Sequence, residues 1–459
     1  MKSLFAALGT LCCCALSIQA EDLPNFVVIL TDDQSWVGSS HQIVPDDPRT
    51  KSDYFLTPQM ERLAELGMTF TQGYSPAASC CPTRRAIQVG QTPGRHEYHQ
   101  DRDGWTKTYR KQLNIPRLLK AADTRYRTAH FGKWDHRYDG ITPEEQGFDI
   151  SDGNTGNGEG GAKGSGGPAA RKDPKLVDAI TDRSIAFLKE NQKNGTPFYL
   201  QVSHYAVHLD IYYREETLEK MKSVPPGTKH NMPEFAAMTW DVDAAVGRVF
   251  DALSELGLKE NTYVFFLSDN GGRTTMPGAP DRMEERNAPL RDGKHSFYEG
   301  GIRVPFLVSG PGVEAGSVCN VPVTGLDFLP TLAELSGYGE SLSDTIDGGS
   351  LVSVLTQGDE GDVVRPRPYL VFHQGVDREP MSALRLGNHK VVKTWPIEGK
   401  RKGKVELFDL SEDISEHNDL SESLPEKAKE LEDLLDQALA EMGAETRMTI
   451  SKKKSQKKK

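Results

Sequence analysis

The 459-residue sequence predicts an α/β fold: a mostly parallel central sheet flanked by helices, then a small α+β domain with a short antiparallel sheet. Two observations predict it. Short apolar, β-rich runs alternate with segments of helical period over most of the chain, and strand–helix alternation of that kind builds parallel sheets. Beyond about Gly337 the pattern changes to short segments followed by one charged helix.

Taken in order, residues 26–30 form an apolar run that reads as a buried strand. Thr57-Pro58 opens a helix running to about Gly67, with Thr as N-cap and Pro at the first helical position, where its missing N–H is not needed. Residues 113–122 read as helix and 126–131 as strand. Leu176, Ile180, Phe187 and Leu188 recur at helical spacing, and a strand at 198–202 follows. A long helix at 235–256 feeds a strand at 263–267, and 304–308 is another strand. The second domain offers short segments at 369–373, 382–386 and 390–393, then a helix at 425–442. The glycine-packed stretch 152–168 is not a phosphate loop, because no lysine-plus-hydroxyl pair closes it and no helix start follows directly. It is expected to be a mobile surface loop or a lid over the site.

The N-terminus reads as a secretory leader: Lys2, an apolar run from Leu4 to Leu16, and the small residue Ala20 before Glu21-Asp22. No other segment approaches the roughly 18 apolar residues of a membrane span. The expected division is a leader at 1–20, a catalytic domain at 21–337, a small domain at 338–445 and a basic disordered tail at 446–459, in a secreted or periplasmic protein. Three of the six cysteines leave with the leader, so the remaining Cys80, Cys81 and Cys319 do not make a disulfide scaffold. The odd count marks one thiol for another fate. The formal charge of −11 falls to −18 once Lys2 and the six tail lysines are set aside, which argues against nucleic acid as a partner. It leaves room for an anionic substrate, because a metal and a few placed cations dominate a local site.

Asp32-Asp33 follow the first strand and Asp269-Asn270 follow the strand at 262–268. Oxygen ligands at the ends of two parallel strands converge on one hard cation, and an all-oxygen set favours calcium or magnesium over zinc.

Cys80-Cys81-Pro82-Thr83-Arg84, with Gly90 after a short spacer, resembles the signature of the formylglycine-dependent sulfatases, with Thr83 in the serine place. These are the type I, arylsulfatase-like members of the alkaline phosphatase superfamily. Further similarities run in order: Pro24 to Val28 leading to Asp32-Asp33; Gly132-Lys133-Trp134; Ala206-Val207-His208; 241–247; Ser268 to Gly272; Pro289 to Lys294 with Glu299 to Pro305; and Glu406 to Leu410 with 416–420. The resemblance covers nearly the whole mature chain.

The resemblance implies an alkaline-phosphatase-like fold and hydrolysis of a sulfate ester; export, an acidic body and the glycine-rich loop suit an extracellular sulfated glycan as substrate, with a small aryl or choline sulfate the alternative. It implies a nucleophile made from Cys80, oxidised to formylglycine by a formylglycine-generating or anaerobic sulfatase-maturing enzyme. One calcium ion would be held by Asp32, Asp33, Cys80, Asp269 and Asn270. Lys133 and Lys294 would neutralise sulfate oxygens, Arg84 would orient the aldehyde hydrate, and His208 would protonate the leaving alcohol. A hydrate keeps a second hydroxyl on the same carbon, so its deprotonation expels sulfate and restores the aldehyde. In the family a histidine stands two residues after the Gly-Lys-Trp lysine; here that place holds Asp135, and His136 follows. His136 is expected as the base, with Asp135 the alternative. His204, four residues before His208, is expected as a further substrate contact, and His130 as a core residue. The competing reading is a formylglycine-dependent phosphodiesterase or phosphonate monoester hydrolase. An inactive carbohydrate-binding relative would be expected to have lost Cys80, a metal residue or a lysine.

Overall fold

The computed structural model describes residues 23–96, 107–136, 139–165, 172–275, 284–375 and 379–445. The leader and the basic tail read from sequence lie outside the described residues.

Among these residues the strands are β1 (Asn25–Thr31), β2 (Met68–Phe70), β3 (Gly73–Tyr74), β4 (Arg127–Gly132), β5 (Ile150–Ser151), β6 (Phe198–Ser203) and β7 (Thr262–Ser268). They continue with β8 (Phe306–Ser309), β9 (Ser317–Cys319), β10 (Val323–Thr324), β11 (Leu370–Gln374), β12 (Met381–Leu386), β13 (His389–Thr394) and β14 (Lys404–Asp409). The large sheet has the order β5-β4-β6-β1-β7-β8-β2-β9. Strands β5, β4, β6, β1 and β7 are mutually parallel, and β8 runs antiparallel to β7 and β2. The sheet is therefore mixed but mostly parallel.

Both faces of β1 are covered, as its apolar run demands. Phe26, Val28 and Leu30 join one core cluster with Phe265 and Leu267, while Val27 and Ile29 join another with Val264, Phe266 and Val202. The alternation is the two-residue period of a strand. Helices Pro58–Leu66, Val177–Asn194 and Pro233–Glu255 bury apolar faces against the second cluster. The helix expected at 113–122 starts at Ile115, because the Asn114 side chain accepts the Arg117 N–H at 3.1 Å and caps it there.

Strands β11 to β14 form a four-stranded antiparallel sheet in sequence order. Val371, Leu384, Val391 and Leu407 pack on Leu431, Leu435 and Leu439 of helix Pro425–Met442. The opposite face, with Phe372, Ala383, Val392 and Phe408, packs on Tyr74, Phe297, Tyr298 and Ile302. Part of the segment assigned from sequence to the small domain packs elsewhere: Ile346, Leu351, Val354, Leu355 and Val363 belong to the core of the large sheet.

The glycine-rich stretch is docked where it is described. The Thr155 Oγ1 accepts the Trp134 N–H at 3.0 Å, and its carbonyl accepts the Asp135 N–H at 2.8 Å.

Candidate active site

Asp32-Asp33 and Asp269-Asn270 are neighbours because β1 and β7 are parallel partners in register, with Thr31 opposite Ser268. Each chain leaves its strand at the same carboxyl edge, where ligands of parallel sheets bind. The Asp33 N–H donates to Asp269 Oδ1 at 3.2 Å, and Asn270 Nδ2 donates to Asp33 Oδ1 at 2.8 Å. Asp33 itself sits at φ 60°, which turns it back over the strand end.

Cys80 opens helix Cys80–Val89, which the sequence did not mark as an element. The motif explains that helix locally. The Thr83 hydroxyl donates to the Ala77 carbonyl at 3.1 Å and accepts the Ala77 N–H at 3.2 Å, so threonine does here what the hydroxyl of serine would do. Pro82 lies in the first turn, where no helical N–H is lost. Gly90 ends the helix in the left-handed region at φ 64°, its N–H on the Ala86 carbonyl.

The helix carries Cys80 and Arg84 to one point. Cys80 Sγ lies 3.4 Å from Asp32 Oδ1 and 3.2 Å from the donating Lys294 Nζ. Arg84 donates through Nε to Asp269 Oδ2 at 2.8 Å and through Nη1 to the Lys133 carbonyl at 2.6 Å. The Lys133 ammonium pairs with Asp32, and that of Lys294 with Asp33. His208 is held by its neighbours: the Val207 N–H donates to the Asp32 carbonyl at 2.7 Å, and the His208 N–H to that of Tyr205 at 3.0 Å. Its Nε2 stands 3.8 Å from Asp33 Oδ2, and its side chain is 13 % exposed, which puts it on the open side of an otherwise buried set.

The charges follow from these contacts. Burial alone would raise Asp32 and Asp33, but Lys133 and His208 around the first, and Lys294 and His208 around the second, hold both below the usual carboxylate range. Burial and the Asp32 charge raise Asp269 against the pull of Arg84. Burial lowers His208, opposed by Asp33 and Asp32.

The sequence as a whole decides what this arrangement belongs to: residues 24–338, most of the chain, match the family described as Sulfatase. The chain belongs to the sulfatase family. It is a sulfuric ester hydrolase. A sulfatase of Formosa agariphila is 27% identical over 87% of this chain and 85% of its own. Human N-acetylgalactosamine-6-sulfatase is 28% identical over 80% of this chain and 71% of its own. The crystal structure of Ps i-CgsB in complex with k-i-k-neocarrahexaose superposes with a TM-score of 0.72 at 22% identity, over 91% of this chain and 93% of that one, and shows the fold.

The donor set of this sulfatase fits a hard divalent cation. Asp33 Oδ2 and Asn270 Oδ1 are buried and have no hydrogen-bond partner among the described residues. Ligand atoms of Asp32, Asp33, Cys80 and His208 lie within 4.8 Å of one another. Oxygen donors dominate, which suits calcium. Three carboxylates face three permanent cations in the set, so a bound divalent ion would leave it net positive, as an anionic ester requires.

No hydrogen bond joins His136 to Cys80. Asp135 adopts φ 63°, and the chain then turns so that His136 stacks on Trp134, at 4.2 Å between ring centroids, with Nδ1 3.4 Å from Asp139 Oδ2. Asp135 Oδ2 instead lies 3.7 Å from Lys133 Nζ. His204 is fully buried, and burial and then Arg84 bring its pKa down to about 4. Neither ring nitrogen of His204 has a hydrogen-bond partner among the described residues. His130 is buried, 3.2 Å from the Ser203 hydroxyl and edge-on to Trp134. Cys81 and Cys319 are buried. Sequence reasoning passed over Lys175, a buried ammonium whose signal was faint: one lysine between the glycine-rich stretch and a helix.

Proposed function

We propose that this sulfatase removes sulfate from an extracellular sulfated carbohydrate, with Cys80 oxidised to formylglycine and one calcium ion bound beside it. The observation that carries the reading is the position of Cys80, within 3.4 Å of a carboxylate of the oxygen donor set and 3.2 Å of the Lys294 ammonium. A nucleophile there meets an anion binder and a cation site at once.

Asp32, Asp33, Asp269, Asn270 and residue 80 would hold the calcium, which supplies Lewis-acid polarisation of a sulfate oxygen when bound. Lys133 and Lys294 hold the remaining oxygens and offset the charge that builds in the transition state. Arg84, charged at any working pH, fixes the orientation of residue 80 through its link to Asp269. The ionised oxygen of the residue 80 hydrate, its charge offset by Arg84, bonds to sulfur as the bond from sulfur to the sugar oxygen breaks, and protonated His208 gives its proton to the departing sugar oxygen. A sugar alkoxide is a poor leaving group, so that proton is worth about two to four powers of ten. For the reset step the base is one of His136 and Asp135.

An exported location follows from the leader read in residues 1–20 and accords with a polymeric substrate; among the described residues no helix is long and apolar enough to cross a membrane. Production with a maturation enzyme, followed by peptide mass spectrometry, tests the chemistry: residue 80 should be lighter than cysteine by about 18 Da, the loss expected for oxidation to an aldehyde. Sulfate release from a panel of sulfated sugars, run beside the matching phosphate esters, tests the reaction. Cleavage of phosphates in preference to sulfates would replace this reading by the phosphodiesterase one.

A further inference from the structure

The segment that carries His208 is fastened at two places. On one side Ala206 and Val207 exchange backbone hydrogen bonds with Asp32, at 3.0 and 2.7 Å. On the other, Asp210 and Tyr212 are fastened to the glycine-rich stretch: Asp210 Oδ2 accepts the Gly164 N–H at 2.9 Å, and the Tyr212 hydroxyl donates to the Gly161 carbonyl at 3.3 Å. The two pieces lie so close that a Cβ at Gly160 would come within 2.5 Å of the Tyr205 ring. Only glycine permits that approach.

Lys175 closes this second fastening. Its Nζ donates to the Gly160 carbonyl at 3.0 Å and lies 5.4 Å from the centre of the Tyr212 ring. The side chain is 1 % exposed, and of the surrounding charges Asp32 acts on it most strongly, ahead of Asp210. Lys175 and Leu176 both sit in the left-handed region, at φ 59° and 55°, where residues with a Cβ are disfavoured. The chain thus adopts an unfavourable turn and buries an ammonium at one spot. Burial brings its pKa down to about 8.

We infer that Lys175 is a positioning residue, which joins the glycine-rich stretch to Tyr212 and so sets His208 against the leaving-group oxygen. The inference rests on the reading of His208 as the proton donor. Lys175 makes no hydrogen bond to Cys80 or the cation donors; its bond goes to Gly160, in the stretch that fastens the 205–212 segment. Loss of it is felt where the donor is needed, on esters with poor leaving groups, and not where a stable phenolate departs unaided.

The experiment compares 4-nitrophenyl sulfate with the fastest sugar sulfate of a panel that includes N-acetylgalactosamine 6-sulfate. The wild-type protein, produced with a maturation enzyme, is measured first; if it cleaves neither, the proposed carbohydrate sulfatase reading falls and this inference falls with it. Lys175→Met should lower kcat on the sugar sulfate by about tenfold or more, and kcat on the nitrophenyl ester by less than about threefold. In a His208→Ala background Lys175→Met should add no further loss on the sugar sulfate. Tyr212→Leu, which keeps the ammonium but removes the ring above it, should show the same split and decides the matter if Lys175→Met does not fold. Equal losses on the two esters, or additive losses in the double variant, overturn the inference.

Discussion

Arg84 and Asp269 form a buried ion pair, Nε to Oδ2 at 2.8 Å, that ties the helix bearing Cys80 to the end of β7. The pair sets the distance between the nucleophile position and half of the cation donors. Neither side chain has water to fall back on, because both are almost wholly inaccessible. Each is worth more as a partner than as a charge.

Removal of one partner therefore costs more than the contact itself. Arg84→Met should lower unfolding stability by about 3 kcal/mol in urea titrations, since it leaves Asp269 buried and uncompensated. Arg84→Lys should recover part of the stability, yet not the second bond to the Lys133 carbonyl. Unchanged stability in Arg84→Met would show that the pair does not hold the helix in place.

Lys133 and Lys294 each neutralise a carboxylate of the set and are placed to receive sulfate oxygens. Lys294→Met and Lys133→Met should each lower kcat/KM on an aryl sulfate by about 10²- to 10³-fold, the scale for loss of one transition-state donor. Steady-state kinetics on folded variants, checked by near-ultraviolet circular dichroism, measures this. A loss confined to KM would mean that the lysine only gathers substrate.

Calcium should stabilise the folded protein. At about a hundredfold excess over its Kd one bound ion adds roughly 2.7 kcal/mol, which chelation removes and added calcium restores in a thermal-unfolding scan. Asn270→Ala should shrink that increment, because its buried Oδ1 has no partner among the described residues. Zinc giving the larger increment would contradict an oxygen-dominated site.

His373 makes the small domain sensitive to acid. Its Nδ1 accepts from the Ser382 hydroxyl at 2.8 Å, which in turn accepts the Trp395 indole N–H, and its Nε2 donates to the Glu445 carbonyl at 2.8 Å. Burial brings its pKa down to about 4, opposed by the Glu445 carbonyl. Above pH 6.5 the ring is neutral in both folded and unfolded states, and its contribution is complete. As pH falls from 6.5 towards 4 the unfolded chain takes up a proton that the folded ring refuses, so stability is lost across that window. The loss is of order 3 kcal/mol. His373→Gln should flatten this part of the stability-against-pH curve measured by urea titration; an unaltered slope would assign the acid sensitivity elsewhere.

The central strands and the longest helices were legible because their signals are local. The 26–30 run and the Thr57-Pro58 start announce themselves through neighbouring side chains and caps. Helix Cys80–Val89 was hidden because its polar residues, Thr83, Arg84, Arg85 and Gln88, are buried with the apolar ones, so no solvent-facing stripe marks it as a surface helix. The short strands β2 and β9 carry three residues each, too few for any pattern.

By itself the sequence determined the α/β class, the family motif at Cys80 and the carboxylate and amide pairs that follow two strands. Those are properties of short segments and of their order along the chain. Only the tertiary structure decided that β1 and β7 are neighbours in register, which brings Asp32-Asp33 to Asp269-Asn270. It also stacked His136 on Trp134 after the left-handed Asp135, and buried Lys175 between the glycine-rich stretch and Tyr212. Such placements depend on which distant segments pack together, and side-chain spacing along a chain carries no record of that.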